Sequence, residues 1–340
     1  MRTTVLKIKH LFIIAILTLY ASCNKDEPLP PTNPPVVYAV GYQGNGTVQV
    51  AKLWKDGVAT NLSDGTHAAY AEAVFVTDTD VYVVGYEGNG TAQVAKLWKN
   101  GVATNLSDGT NLASAKSIFI QNNDVYIVGS ENNGTNNVAK LWKNGVATNL
   151  SDGTNSAFAE SVYVVDNDVY VVGADNRKAT LWKNGVATTL MNNSAFFSKG
   201  AAVYVTDNNV HITGHTTAHP FSLAIATTWT NGNLANLNDG TNYAAGESIF
   251  MEGTDEYVVG FESNGINNVA KIWKNGVATN LTDGTNNAFA ESVYVVDNDV
   301  YVVGSENNGT AQVAKLWKNG IATALSDGTN SARVTAVFVK

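Results

Sequence analysis

From Val36 to Lys340 the chain repeats a unit of four short apolar runs that are separated by polar turns. In the first complete unit the runs are Ala71–Thr77, Asp80–Glu87, Gln93–Lys99 and Val102–Leu106. They are rich in β-branched and aromatic residues and have the length of β-strands rather than of helices. The pattern therefore predicts a four-stranded unit without a helix.

A tryptophan on the third run marks each unit, at intervals of roughly 44 residues. Self-similarity at this period favours a solenoid or a propeller over other folds. Because seven tryptophans are present, we expect seven units. The markers are Trp54, Trp98, Trp142, Trp182, Trp229, Trp273 and Trp317.

Two residues join the third and fourth runs of every unit, and the second of them is always glycine. Such pairs accept a positive φ at both positions, so each one predicts a tight hairpin with a primed turn. Four strands connected as a meander form a propeller blade. The pairs are Asp56-Gly57, Asn100-Gly101, Asn144-Gly145, Asn184-Gly185, Asn231-Gly232, Asn275-Gly276 and Asn319-Gly320.

The repeat region begins and ends inside a unit. It opens on a second-strand sequence, Val37–Gly41, and closes on a first-strand sequence, Ala336–Lys340. Joined, the two pieces complete a seventh blade, which removes the exposed sheet edge that an incomplete blade would leave. We therefore predict an all-β fold over residues 36–340, a seven-bladed β-propeller of four-stranded blades closed by pairing the C-terminal strand with three N-terminal strands.

Residues 1–22 do not belong to the repeat. A basic start and an apolar run over Leu11–Tyr20, too short for a membrane-spanning helix, predict a secretion signal. Its end, Leu19–Ser22 before Cys23, is similar to the lipobox of bacterial lipoproteins, and the resemblance implies lipid attachment at Cys23. Since this cysteine is the only one, no internal disulfide can form. An ordinary cleaved signal followed by an unmodified cysteine is the alternative.

Residues 23–35 form a polar and proline-rich segment, for which an extended spacer is expected. Asn24–Glu27 resembles the export signal of Bacteroidota surface lipoproteins, which implies the outer membrane and its external face. The phrases Leu-Trp-Lys-Asn-Gly and Asp-Val-Tyr-Val-Val-Gly also look like the repeats of such lipoproteins. That resemblance implies the fold and assigns no catalytic or binding residue.

Charge and aromatic content narrow the possible partners. The formal net charge of −8 disfavours nucleic acid, which requires a basic face. Aromatic residues recur in phase on the first three strands, where the interpretation as packed core outweighs repeated sugar-binding positions. The first-strand members are Phe75, Phe119, Tyr163, Tyr204, Phe250, Tyr294 and Phe338.

One equivalent position near the start of each first strand is mostly charged. Four carboxylates and one lysine are expected to ring one mouth of the central channel, either to hold a cation and bias what enters, or as a solvated rim. The seven positions are Glu72, Lys116, Glu160, Ala201, Glu247, Glu291 and Thr335.

The long connection between units carries Asp-Gly-Thr in six of seven units, beginning at Asp64, Asp108, Asp152, Asp239, Asp283 and Asp327. Asp-Gly predicts a turn, and calcium is the less favoured interpretation because no ladder of oxygen ligands accompanies it. A strand places His211 and His215 roughly 13 Å apart, too far for a simple metal pair. Catalytic motifs are missing, so we predict no metal and no cofactor.

The third and fourth complete units depart from the pattern. The loop between their second and third strands shortens at 175–178 and lengthens at 215–222, while 191–199 replaces Asp-Gly-Thr. A short loop beside a long one predicts a notch with a basic and aromatic lining, suited to an anionic glycan or a carboxylate. Drift in redundant blades is the alternative. The candidate ligand-binding residues are Asp175, Arg177, Lys178, Phe196, Phe197, His215 and His219.

Two functions are consistent with these sequence features. Near-identical blades favour a monomeric, non-enzymatic binding or adhesion module for a glycan or a protein, since repeated weak sites give avidity. The alternative is a polysaccharide-acting enzyme with an asymmetric site over the third and fourth blades, because catalysis needs one cluster of unlike groups.

Overall fold

The structure is a computed structural model that describes residues 34–191, 197–207, 209–217 and 222–340. In these ranges the chain forms 28 β-strands arranged as seven four-stranded antiparallel sheets. The sheets are the blades of a closed seven-bladed β-propeller, as the sequence predicts. No helix in the described ranges is long and apolar enough to cross a membrane.

Blades 1 to 3 follow one another along the chain. Blade 1 contains β4 (Ala69–Val76), β5 (Val81–Gly88), β6 (Gln93–Lys99) and β7 (Val102–Asn105). Blade 2 contains β8 (Ala113–Gln121), β9 (Asp124–Asn132), β10 (Asn137–Lys143) and β11 (Val146–Asn149). Blade 3 contains β12 (Ala157–Val165), β13 (Asp168–Asp175), β14 (Lys178–Lys183) and β15 (Val186–Thr189).

Blades 4 to 7 complete the ring. Blade 4 contains β16 (Phe197–Thr206), β17 (Asn209–Thr217), β18 (Ile225–Thr230) and β19 (Asn233–Asn236). Blade 5 contains β20 (Ala244–Glu252), β21 (Asp255–Ser263), β22 (Asn268–Lys274) and β23 (Val277–Asn280). Blade 6 contains β24 (Ala288–Val296), β25 (Asp299–Asn307), β26 (Gln312–Lys318) and β27 (Ile321–Ala324). Blade 7 joins β28 (Ala332–Val339) to β1 (Val37–Gly44), β2 (Gln49–Lys55) and β3 (Val58–Asn61), which confirms the predicted closure.

The turn between the third and fourth strands has the predicted primed geometry. In blade 1, Asn100 and Gly101 have φ of 51° and 82°. The Asn100 side chain also accepts a hydrogen bond from the backbone N–H of Val81, at 2.8 Å, so it ties this hairpin to the second strand. The fourth strand of every blade is fully exposed and forms the rim, while the first strand lies innermost.

Each inner strand carries one extra residue, a β-bulge, opposite a glycine of the second strand. In blade 2 the register shifts between Ala115 and Ser117, so that Lys116 is the bulged residue. A Cβ on Gly129 would lie 1.9 Å from the carbonyl oxygen of Ser114, so only glycine allows the two backbones to approach this closely. A bulge redirects the side chain of the extra residue, which here points toward the channel.

The tryptophans pack between blades. Trp98 of blade 1 is 1% exposed and lies in one cluster with Val40 and Ala51 of blade 7. The same arrangement recurs around the ring, so each tryptophan stabilises the contact between its own blade and the preceding one. The interpretation of the tryptophans as packed core is confirmed.

The first-strand aromatics are only half-buried, and the expectation that they form closed core is correct only in part. Since the inner strands converge on the axis, the rings meet side by side around it, from Phe75 through each blade to Phe338 and back to Phe75. Neighbouring ring centroids lie 4.8–5.4 Å apart along this circle. They line the channel below the bulged residues.

Candidate functional site

The seven bulged residues line one cavity of about 350 Å³ at the mouth of the channel. This confirms the predicted ring of charged residues, and the bulge explains why their side chains leave the plane of their sheets. Two cations that the sequence pattern did not assign to the ring, Lys199 and Arg333, line the same cavity. Each stands two positions before a bulged residue that is uncharged, Ala201 or Thr335.

Three ion pairs cross from blade to blade at this mouth. The ammonium of Lys116 lies 2.9 Å from a carboxylate oxygen of Glu72, and that of Lys199 lies 2.9 Å from one of Glu160. Arg333 pairs with Glu291 in the same way. In every case the cation belongs to the blade that follows the carboxylate, so blades 1 and 2, 3 and 4, and 6 and 7 are joined in twos.

Glu247 of blade 5 belongs to none of these ion pairs. Among the residues that the structure describes, it has no hydrogen-bond or ion-pair partner. Burial raises the pKa of its carboxyl to about 7, and the neighbouring Glu291 contributes in the same direction. Seven blades cannot all be joined in twos, and blade 5, which carries Glu247, is the one that remains.

Three tyrosines form one wall of the mouth. The rings of Tyr70 and Tyr86 are stacked, with centroids 4.9 Å apart and an interplanar angle of 26°. Tyr42 meets Tyr70 edge to face at 4.8 Å, and the ammonium of Lys116 lies 5.6 Å from the centroid of the Tyr86 ring. Burial raises the pKa of Tyr42 and Tyr86, so both phenols stay neutral and can donate hydrogen bonds.

Near the mouth, one pair of facing residues on the first and second strands differs from blade to blade, while the residues around it repeat. It joins the residue after the second-strand glycine to the residue two positions before the bulge. Five members of these pairs line the mouth and give it the unlike groups that a specific site needs, namely Tyr42, Tyr70, Tyr86, Lys199 and Arg333. In blade order the pairs are Tyr70–Tyr86, Ser114–Ser130, Phe158–Ala174, Lys199–His215, Ala245–Phe261, Phe289–Ser305 and Arg333–Tyr42.

A smaller cavity of about 310 Å³ lies between blades 3 and 4, where the sequence predicts a notch. The structure brings Arg177, Phe197 and His215 together in its lining, and Lys199 lines both this cavity and the mouth. The Arg177 guanidinium lies 5.2 Å from the centroid of the Phe197 ring. Burial lowers the pKa of His215 to about 4, so this side chain is neutral and the lining is less basic than its composition indicates.

The other candidate residues are placed differently. Asp175 and Lys178 flank the two-residue turn of blade 3 and do not line the notch. The backbone of that turn is left-handed at Asn176 and Arg177, with φ of 48° and 63°. Phe196, His219 and Cys23 lie outside the described residues, as do residues 1–33 as a whole.

The Asp-Gly-Thr connections use their carboxylates within the loop. Asp64 accepts hydrogen bonds from the backbone N–H and the hydroxyl of Thr66, at 2.8 and 2.7 Å, and these bonds lower the pKa of the carboxyl. The same pair recurs in the other five loops, which confirms the interpretation as a turn. Among the described residues no group of three or more metal-ligating side chains is placed to hold an ion.

The sequence does contain information about the mouth, but this information lies in the positions at which the units differ and not in the motifs that they share. Tyr42, Tyr70, Tyr86, Lys199 and Arg333 are among the positions at which the seven aligned units differ. Whether these positions meet depends on strand register and on the bulge, which a repeat pattern alone does not specify.

Comparisons with known proteins show similarity at the level of the fold. No protein-family model matches the chain, and no curated protein matches it. Among solved structures, the extracellular domain of a protein described as a hybrid two-component system of B. thetaiotaomicron is similar at 9% identity and a TM-score of 0.43, over 77% of this chain and 33% of that one. TolB from Acinetobacter baumannii is similar at 11% identity and a TM-score of 0.44, over 89% of this chain and 65% of that one.

Proposed function

We propose that the chain is a non-enzymatic glycan-binding module of a bacterial cell surface, with its ligand seated at the mouth of the channel. The observation that carries the proposal is the set of unlike side chains that three of the variable pairs bring to one concave surface: Tyr42, Tyr70, Tyr86, Lys199 and Arg333. The anchor is Cys23, as its lipobox-like context implies. We include adhesion in the proposal because a lipid-anchored binding module on the cell surface can attach the cell to its ligand.

The chemistry of the mouth suits a saccharide. The half-buried rings of Tyr42, Tyr70 and Tyr86 line the mouth and offer apolar aromatic surface of the kind that packs against a sugar ring. Carboxylates and ammonium groups around them supply charge-assisted hydrogen bonds to hydroxyls. A ligand that fills about 350 Å³ has the size of one or two sugar residues.

A glycan array with the full chain in detergent tests the proposal. We expect a defined set of saccharides to bind, and Tyr70→Ala combined with Tyr86→Ala to remove that binding. Arg177→Ala combined with Phe197→Ala serves as the matched control, because it alters the notch and leaves the mouth intact. Loss of binding in the notch variant, with the tyrosine variant unaffected, would move the site to the place that the loop pattern predicts.

A polysaccharide-acting enzyme is the second candidate, and Glu247 is the observation that favours it. A carboxyl with a pKa near neutrality beside other carboxylates is the arrangement in which a general acid operates. Mass spectrometry of the array-identified glycan after prolonged incubation distinguishes the two candidates. Shortened products that disappear with Glu247→Gln would establish the enzyme, whereas an intact glycan supports the binding module.

A further inference from the structure

The three ion pairs at the mouth follow one pattern, and this pattern shows that Glu247 lacks a cationic partner. In each of the three pairs the following blade supplies the cation, either from its bulged residue, as with Lys116, or from two positions earlier, as with Lys199 and Arg333. For Glu247 the following blade is blade 6, and its two corresponding residues are Glu291 and Phe289. Neither can neutralise a carboxylate.

The other charged groups near Glu247 are already engaged. Lys199 and Arg333 both act on it through space, but their nearest carboxylate oxygens belong to Glu160 and Glu291. The remaining ionisable neighbours are Glu160, Glu291 and the phenol of Tyr243, which carry negative charge or none. No protein cation in the described part of the chain is left for this carboxylate.

Space is available beside it as well. The bulged residue of blade 4 is Ala201, so a small side chain lines the cavity on the blade 4 side of the carboxylate. An ionised carboxylate that is partly removed from water is unfavourable without a counter-charge. The position is therefore complementary to a positively charged group that comes from outside the protein.

We propose that Glu247 binds the ammonium group of an amine-bearing saccharide whose rings contact the tyrosine wall. The inference rests on the proposed function and adds the ligand class to it. Blade 5 and blade 1 face each other across a seven-membered ring, so a ligand spanning the mouth places one end at Glu247 and the other at Tyr70 and Tyr86. The charged side chains of the three ion pairs at the mouth form hydrogen bonds with the hydroxyls of the saccharide.

Two disaccharides whose amines are either free or acetylated test this proposal: the β-1,4-linked glucosamine dimer and its fully N-acetylated counterpart. Calorimetric titration of the full chain at pH 7 and low salt, where the Glu247 carboxyl is about half ionised before binding, gives the ratio of their dissociation constants. We expect the free amine to bind about tenfold more tightly or better, as one charge-assisted hydrogen bond provides. Glu247→Gln is expected to reduce the ratio to about one.

Glu252→Gln is the matched control, since it removes the same charge from the same strand at the exposed opposite end. It is expected to keep the full preference for the amine. A wild-type ratio near one, a preference that survives Glu247→Gln, or no binding of the glucosamine dimer overturns the proposal. The Tyr70→Ala, Tyr86→Ala variant separates this failure from a failure of the proposed function. If that variant loses the glycans that the wild type binds on the array, the mouth is still the glycan-binding site, although its ligand carries no amine. If that variant binds those glycans normally, the proposed function itself fails.

Discussion

Replacing Glu247 by Gln is expected to stabilise the free protein, because the carboxyl has no counter-charge. Its pKa rises from an ordinary value of about 4.5 to about 7 on folding, so the folded state holds the proton more tightly than the unfolded state. Stability is therefore greatest below pH 4.5, falls as the pH rises from 4.5 to 7, and carries the full penalty above 7. A shift of this size corresponds to at most about 3 kcal/mol, or a change in Tm of about 3–6 °C.

Thermal unfolding followed by circular dichroism at pH 8 and at pH 4.5 measures this effect. We expect Glu247→Gln to raise Tm at pH 8 and to leave it nearly unchanged at pH 4.5, where the carboxyl is protonated in the folded state and half protonated in the unfolded state. Glu72→Gln makes the same chemical change in blade 1 but leaves Lys116 without its partner at 2.9 Å, so Tm is expected to fall at pH 8. An equal or lower Tm for Glu247→Gln at pH 8, or the same gain at both pH values, would refute the view that this carboxylate is uncompensated.

Three further expectations concern the scaffold and the anchor. Gly129→Ala is expected to destabilise the fold by about 3 kcal/mol or more, since a Cβ there lies 1.9 Å from Ser114 O, whereas Gly44→Ala, with its nearest atom at 3.6 Å, has little effect on Tm. Removal of residues 334–340 takes away the inner strand of blade 7, and a cooperative, undiminished melting transition would contradict its closing role. Cys23→Ala is expected to release a soluble chain with an unchanged circular dichroism spectrum, and retention in the membrane fraction would show that the anchor lies elsewhere.

Much of the fold could be predicted because each blade contains local signals that agree with one another. Asn-Gly pairs specify the outer hairpins through their own backbone preferences, and Trp98 and its equivalents mark the strand that packs between blades. The strand boundaries could be predicted less accurately. The inner strand of blade 1 begins at Ala69 rather than Ala71, because hydrogen bonding continues past the bulge at Glu72 into residues that pattern alone assigns to the loop.

The site could be predicted only in part. Equivalent spacing along the units was enough to place Glu247 and its counterparts at one mouth. The ion pairs were not predictable, since Lys199 and Glu160 are joined through the docking of two blades and not through sequence proximity. The neutral state of His215 also depends on burial, a tertiary property, so composition alone overstated the charge of the notch.

A crystal structure of the chain bound to the glycan that the array identifies tests most directly whether the mouth is the recognition site. We expect ligand density inside the channel mouth, with a sugar ring against Tyr70 and Tyr86 and a polar group within hydrogen-bond distance of Glu247. Density that lies only in the notch beside Arg177, or on the outer strands of the blades, with the mouth filled by solvent, would contradict this assignment.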